Sequence, residues 1–120
     1  MEKINVRETL RKASRLLRQH GWQKGNTGTN PGQRMCIIGA INMAHHGAPA
    51  YQYHGTNKEI SEVISCAKKV VQAMNLPMPV GYGRDGNNLG NKYLWALAEW
   101  NNNRSTTQKH IHSALRKASR

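Results

Sequence analysis

Phenylalanine is absent from this chain, acidic residues number six in 120, and there are two cysteines. Without Phe, an interior must be filled by Ile, Leu, Met and three tryptophans, and a hydrophobic share of 38% supports one modest core. Cys36 and Cys66 make neither a disulfide framework nor a metal-ligand spacing. No apolar run approaches the roughly 18 residues of a membrane span. The longest, around "MCIIGAINMA", is too short. The N-terminal "MEKINVRETLRK" lacks the hydrophobic stretch of a secretory signal. These absences point to a cytoplasmic protein with reduced thiols, no membrane partner, no metal and no cofactor.

The shortage of acid says the most. Eighteen Lys and Arg face six Asp and Glu, a formal charge of +12 with His neutral. A compact domain carrying that excess repels itself, so an anionic partner is the expected counterpart. Nucleic acid and an acidic protein surface are the two classes to weigh.

What is present reads as helices, in a single domain over residues 1–120. Asn5 followed by Glu8 reads as a capping box opening a first helix, with Val6, Leu10, Ala13 and Leu17 on one face and Gly21 as the stop. The loop "QKGNTGTNPGQR" follows. A second helix, roughly Met35–His46, is apolar on nearly every side, which places it centrally, and Gly47 ends it. Thr56 and Glu59 read as the box of a third helix carrying Ile60, Val63, Ile64, Ala67, Val70, Val71 and Met74 inward, with Pro77 as its stop. The segment "LPMPVGYGRDGNNLGNK" is a second long Gly/Pro/Asn loop. A fourth helix, about Leu89–Asn101, puts Tyr93, Leu97 and Trp100 on one stripe, and Ser105 with Gln108 opens a fifth that buries Ile111, Ala114, Leu115 and Ala118. The expected fold is all-α, a bundle of about five helices.

The hexapeptide "LRKASR" occurs twice, at Leu10–Arg15 and at Leu115–Arg120. On a helix it sets Leu and Ala three apart on one face and its cations elsewhere. The flanks of the two copies differ, so this is no repeat of fixed period but one inside-outside solution used on two amphipathic helices. The first copy extends into a stripe of Arg7, Arg11, Arg15 and Arg18, and the second into Lys109, His112, Arg116, Lys117 and Arg120. Such rows of guanidinium and ammonium groups suit a phosphate backbone. Solvated faces ordinarily interleave both signs, and the fifth helix carries no acid at all.

Other candidates are weaker. Tyr51 and Tyr53, with His54, could stack on unpaired bases. "GYGRDGNN" lacks the Gly-Lys-Ser/Thr ending of a phosphate loop, so Asp85-Gly86 reads as a turn. Cys36 stands at a helix start, where the helix N-terminus lowers a thiol's pKa, and so is the candidate for a thiol enzyme. His45-His46 and His110/His112 have the wrong spacing to share a helix face, which argues against a metal.

Gly21-Trp22 with Gly25, then Cys36, Gly39 and Ala40, then Trp100-Asn101, Arg104, Thr106 or Thr107 and Ala118 form a pattern. It resembles that of an uncharacterised family of small helical proteins from actinobacteria and their phages. Where an Asp commonly follows the Trp-Asn of that family, this chain has "NNN". The resemblance implies one mostly helical domain, a phage or mobile-element origin and no particular activity. Packing of Trp22, Cys36, Gly39 and Trp100 into one cluster accounts for the pattern more simply than a shared active site does.

The reading that follows is a non-enzymatic basic protein that binds a nucleic-acid backbone or nucleoprotein complex. The stripe Arg7, Arg11, Arg15 and Arg18 would do so with Lys109, Arg116, Lys117 and Arg120. The alternatives are a phage-type inhibitor docked on an acidic surface of a host defence protein, and a thiol enzyme centred on Cys36.

Overall fold

The computed structural model describes residues 5–25, 34–47, 57–78 and 91–120. The fold is all-α: α1 (Val6–His20), α2 (Ile37–His46), α3 (Asn57–Met74), α4 (Asn91–Asn102) and α5 (Gln108–Ala118). Among the described residues the only β-type pairing is an isolated parallel bridge between Trp22 and Met35. No described helix is long and apolar enough to cross a membrane.

Each helix starts and stops for a local reason. Asn5 caps α1 by accepting the Glu8 N–H at 3.0 Å. The reciprocal half of the expected box is absent, because the Glu8 carboxylate turns to Arg11 at 3.2 Å instead. Gly21 ends α1 at φ 95°, a conformation that costs an L side chain strain, and an added Cβ would also meet the Arg34 side chain at 2.9 Å. The second helix starts two residues later than its apolar run suggests. Met35 is held in the bridge to Trp22, and Cys36 is the N-cap, its Sγ accepting the Gly39 N–H at 3.4 Å. Gly47 closes it in the left-handed region.

Asn75, not Pro77, stops α3. It sits at φ 52°, with its N–H on the Gln72 carbonyl and the Leu76 N–H on the Val71 carbonyl, the paired bonds of a Schellman end. The box expected at Thr56 and Glu59 lies outside the described residues and side chains, as does Leu89 at the expected start of α4. The cap of α5 is Thr107 with His110, two residues on from Ser105 and Gln108: Thr107 Oγ1 accepts the His110 N–H while His110 Nδ1 accepts the Thr107 N–H. Ser105 is taken by Asn103, whose side-chain oxygen accepts both its N–H and its hydroxyl.

The buried side chains of all five helices form one core. Leu10, Ala13 and Leu17 of α1 and Ile111, Ala114, Leu115 and Ala118 of α5 are inside, as their periodicity dictates. α2 is buried on nearly every side and lies against α1, α3 and α4. In α4 the inward line is Leu94, Leu97 and Asn101, with Tyr93 and Trp100 half-buried at its flanks. The expected aromatic stripe is thus rotated outward, because a buried Asn takes its place at the centre. α5 packs on both α1 and α3, and α1 also touches α3, so three helices meet around the chain's C-terminal end.

Candidate functional site

The two hexapeptides face each other. Leu10 and Ala13 in one, Leu115 and Ala118 in the other, enter the core. Their outward residues then line one groove of about 350 Å³ between α1 and α5: Arg11, Ser14 and Arg15 opposite Arg116 and Ser119, with Arg18 alongside. The helices run in opposite directions, since Arg7 near the start of α1 shares a groove with Arg120 while Arg18 near its end acts on His112. The Arg and Ser at the second and fifth positions of each hexapeptide therefore line the groove from both walls.

The basic surface continues past this groove. A second groove, of about 360 Å³, joins Arg7 and Arg120 to Lys68 and Lys69 of α3. A third, sharing Lys69 and Arg120 with it, adds Lys117. Seven of the eight expected cations (Arg7, Arg11, Arg15, Arg18, Arg116, Lys117 and Arg120) thus come together on neighbouring grooves. Lys109 does not join them: it occupies the first turn of α5, about 10 Å along the axis from Arg116. Lys68 and Lys69 were missed by the sequence reading. Their exposure follows from the period of α3, but nothing local in the sequence says that α3 lies against the ends of α1 and α5.

Acid is nearly absent from these segments. Glu8 is the one carboxylate among residues 5–25, and residues 63–78 and 100–120 contain none. Glu8 bonds Arg11 at 3.2 Å with both side chains about half exposed, a contact worth only some tenths of a kcal/mol in water. Glu62 is taken up elsewhere, by His45 Nε2 at 3.0 Å, and Glu99 accepts from the Trp95 indole at 3.1 Å. The cations therefore keep their charge for whatever approaches from outside.

The Cys36 thiol is buried, and burial pushes its pKa up; the backbone N–H groups of Gly39 and Ile38 pull it down, as the helix start suggested, but they act more weakly. Cys66 is pushed up to about 12 by burial and the nearby Glu62. A mild alkylator at neutral pH is expected to label Cys36 in the folded chain at least on the order of a hundredfold more slowly than in urea, since attack awaits local opening. Rapid, stoichiometric labelling of folded Cys36, located by mass spectrometry, would restore the thiol reading. His45 and His46, although adjacent, do meet: their Nδ1 atoms are 3.1 Å apart and the rings are edge-to-face. Among the described residues no group of three or more His, Cys, Asp or Glu side chains is placed to hold a metal ion. Tyr51 and Tyr53 lie outside the described residues.

Of the pattern residues, Trp22 and Gly25 are tied to Asn101 and its neighbour Asn102 at the end of α4. The Asn101 Oδ1 accepts the Trp22 indole N–H at 2.7 Å and the Ile37 N–H, the first of α2, at 3.0 Å. Its Nδ2 donates to the Gln23 carbonyl at 3.2 Å and to Asn102 Oδ1 at 3.1 Å. Asn102 Oδ1 also accepts the Gly25 N–H at 2.6 Å, so its amide performs the acceptor role open to an Asp at this place. Lys24 lies over the Trp22 ring and donates to the Asn103 carbonyl at 2.6 Å. Every polar atom of the Asn101 side chain is used, and three of its four bonds tie α4 to residues 22–23 and to the start of α2. This is a structural staple.

A protein whose described residues form five α-helices, with a hydrogen-bonded staple at Asn101 and an arginine- and lysine-lined face on α1, α3 and α5, is what sequence and structure together define. The chain belongs to a family of unknown function (DUF6197), whose model matches residues 1–120. Comparison with curated proteins and with solved structures found no match.

Proposed function

We propose that this protein binds the sugar-phosphate backbone of a nucleic acid along the face formed by α1, the C-terminal half of α3 and the C-terminal turns of α5. The observation that carries the reading is the convergence of nine cations from three helices onto adjoining grooves, against Glu8 as the one Asp or Glu in residues 5–25, 63–78 and 100–120. Arg7, Arg11, Arg15 and Arg18 advance about 6 Å per helical turn or less along α1, so successive guanidiniums meet successive phosphates of one strand. Arg116, Lys117, Arg120, Lys68 and Lys69 widen the track. The contacts read charge and spacing, not base edges. The protein acts without a cofactor or covalent chemistry.

Fluorescence anisotropy with short duplex DNA, single-stranded DNA and RNA tests this. If about six phosphates are neutralised, affinity falls roughly a thousandfold between 50 and 200 mM salt. Submicromolar binding at the lower salt with that slope is the expected outcome. No binding to any of the three at 50 mM salt overturns the proposal and turns the same face into a docking surface for an acidic protein.

A further inference from the structure

α5 repeats the stripe of α1 with one change. Aligned on the two hexapeptides, Arg7, Arg11 and Arg15 correspond to His112, Arg116 and Arg120. Five of these six positions carry a fixed charge; the sixth carries a group that titrates. His112 is half-buried, and its Nδ1 is buried with no hydrogen-bond partner. The charged groups acting on it are Arg18 from α1 and Arg116 from its own helix, and both line the groove between the hexapeptides. α3, the other helix packed on α5, brings Lys68 and Lys69 against Arg120, eight residues further along the chain. The other histidines of the two helices are His20, in the last turn of α1, and His110, whose Nδ1 is occupied by the Thr107 N–H; the one acid of α1, Glu8, is paired with Arg11. No Asp or Glu is present from residue 100 to 120.

Burial and the guanidiniums of Arg18 and Arg116 hold the His112 pKa below the ordinary histidine value, so the ring is neutral at neutral pH. An anion seated between those guanidiniums cancels the repulsion and adds an attraction of the opposite sign.

We propose that His112 is the proton-linked member of a phosphodiester seat in the α1–α5 groove, so that binding a nucleic-acid backbone there is accompanied by uptake of a proton on the imidazole. This rests on the basic face being a nucleic-acid surface. The sign follows from linkage. The bound state holds the proton more tightly, so affinity rises as pH falls through the bound-state pKa, and the gain is complete below the free-state pKa. One proton gives at most about a tenfold change per pH unit.

The test is the affinity for a short oligo(dT) strand, whose thymines do not titrate in acid, measured at fixed salt at about pH 8 and about pH 5.5. The His112 imidazole signal is followed by NMR with and without the strand. The wild-type protein is expected to bind about five- to tenfold more tightly at the lower pH, with His112 titrating higher in the complex than alone. His112→Gln is expected to lose the gain between the two pH values. His112→Lys should bind at both pH values as wild type does at the lower one, and His20→Gln should keep the wild-type response. Salt-dependent binding with an unchanged pH response in His112→Gln, or an imidazole titration indifferent to the strand, overturns the inference and leaves the basic face standing. Absence of binding at either pH overturns both.

Discussion

Replacing Asn101 with alanine is expected to destabilise the fold by about 3 kcal/mol, a fall of roughly 10 °C in melting temperature. The side chain is 1% exposed and satisfies the indole of Trp22 and the first N–H of α2 while donating to Gln23 and Asn102. Alanine leaves the Ile37 N–H buried without an acceptor and opens a void beside the core, and each alone is worth on the order of 1–3 kcal/mol. The neighbouring Asn103→Ala change makes the contrast. The Asn103 side chain is exposed and accepts the Ser105 N–H and hydroxyl in the turn before α5, so its loss is expected to cost below about 1 kcal/mol. Thermal melts of the two variants side by side are the check. Equal losses would remove Asn101 from its place as the staple.

That contrast also marks the limit of what the sequence could say. "NNN" reads as three equivalent polar residues ending a helix, yet Asn101 is buried, Asn102 accepts from Gly25 and Asn103 holds a turn. The difference arises from partners 64 to 79 residues away in the chain, which no local pattern encodes. Amphipathic elements were legible for the opposite reason. In α1 and α5 the apolar period alone decides which face is buried, and Leu10, Ala13, Leu17, Ile111, Ala114, Leu115 and Ala118 all went inward. In α4 the expected stripe of Tyr93, Leu97 and Trp100, with Leu94 and Ala98 beside it, buries Leu97 and Leu94 fully and its aromatics only in part. The basic stripes were legible as stripes. Their meeting with Lys68 and Lys69, and the opposition of the two hexapeptides across one groove, depend on how three helices pack. Cys36 shows two effects of known sign competing: the helix start lowers a thiol's pKa and burial raises it, and only the structure shows how deeply the thiol is buried.

Changing Arg7, Arg11, Arg15 and Arg18 together to Gln is expected to cut the salt dependence of nucleic-acid binding from roughly a thousandfold to roughly tenfold between 50 and 200 mM. Removing four of about six phosphate contacts lowers the slope of log affinity on log salt by about 3.6. All four side chains are exposed, and Gln is a good helix former, so the fold is expected to persist with an unchanged circular dichroism spectrum. Lys68 and Lys69 changed to Gln should lower the slope by about 2. A quadruple variant that binds with the wild-type slope would show that the charge on α1 is only a solvated helix face.

The most direct test of the central claim, that α1, α3 and α5 present one phosphate-binding face, is a residue-by-residue footprint. Isotope-labelled protein is titrated with a short single strand at about 50 mM salt and the amide signals are followed. The account expects the largest shifts at Arg7 to Arg18, Lys68 to Gln72 and His112 to Arg120, with the Asn101 staple and α4 unmoved. Shifts centred on α4, or none at a several-fold excess of strand, would contradict it.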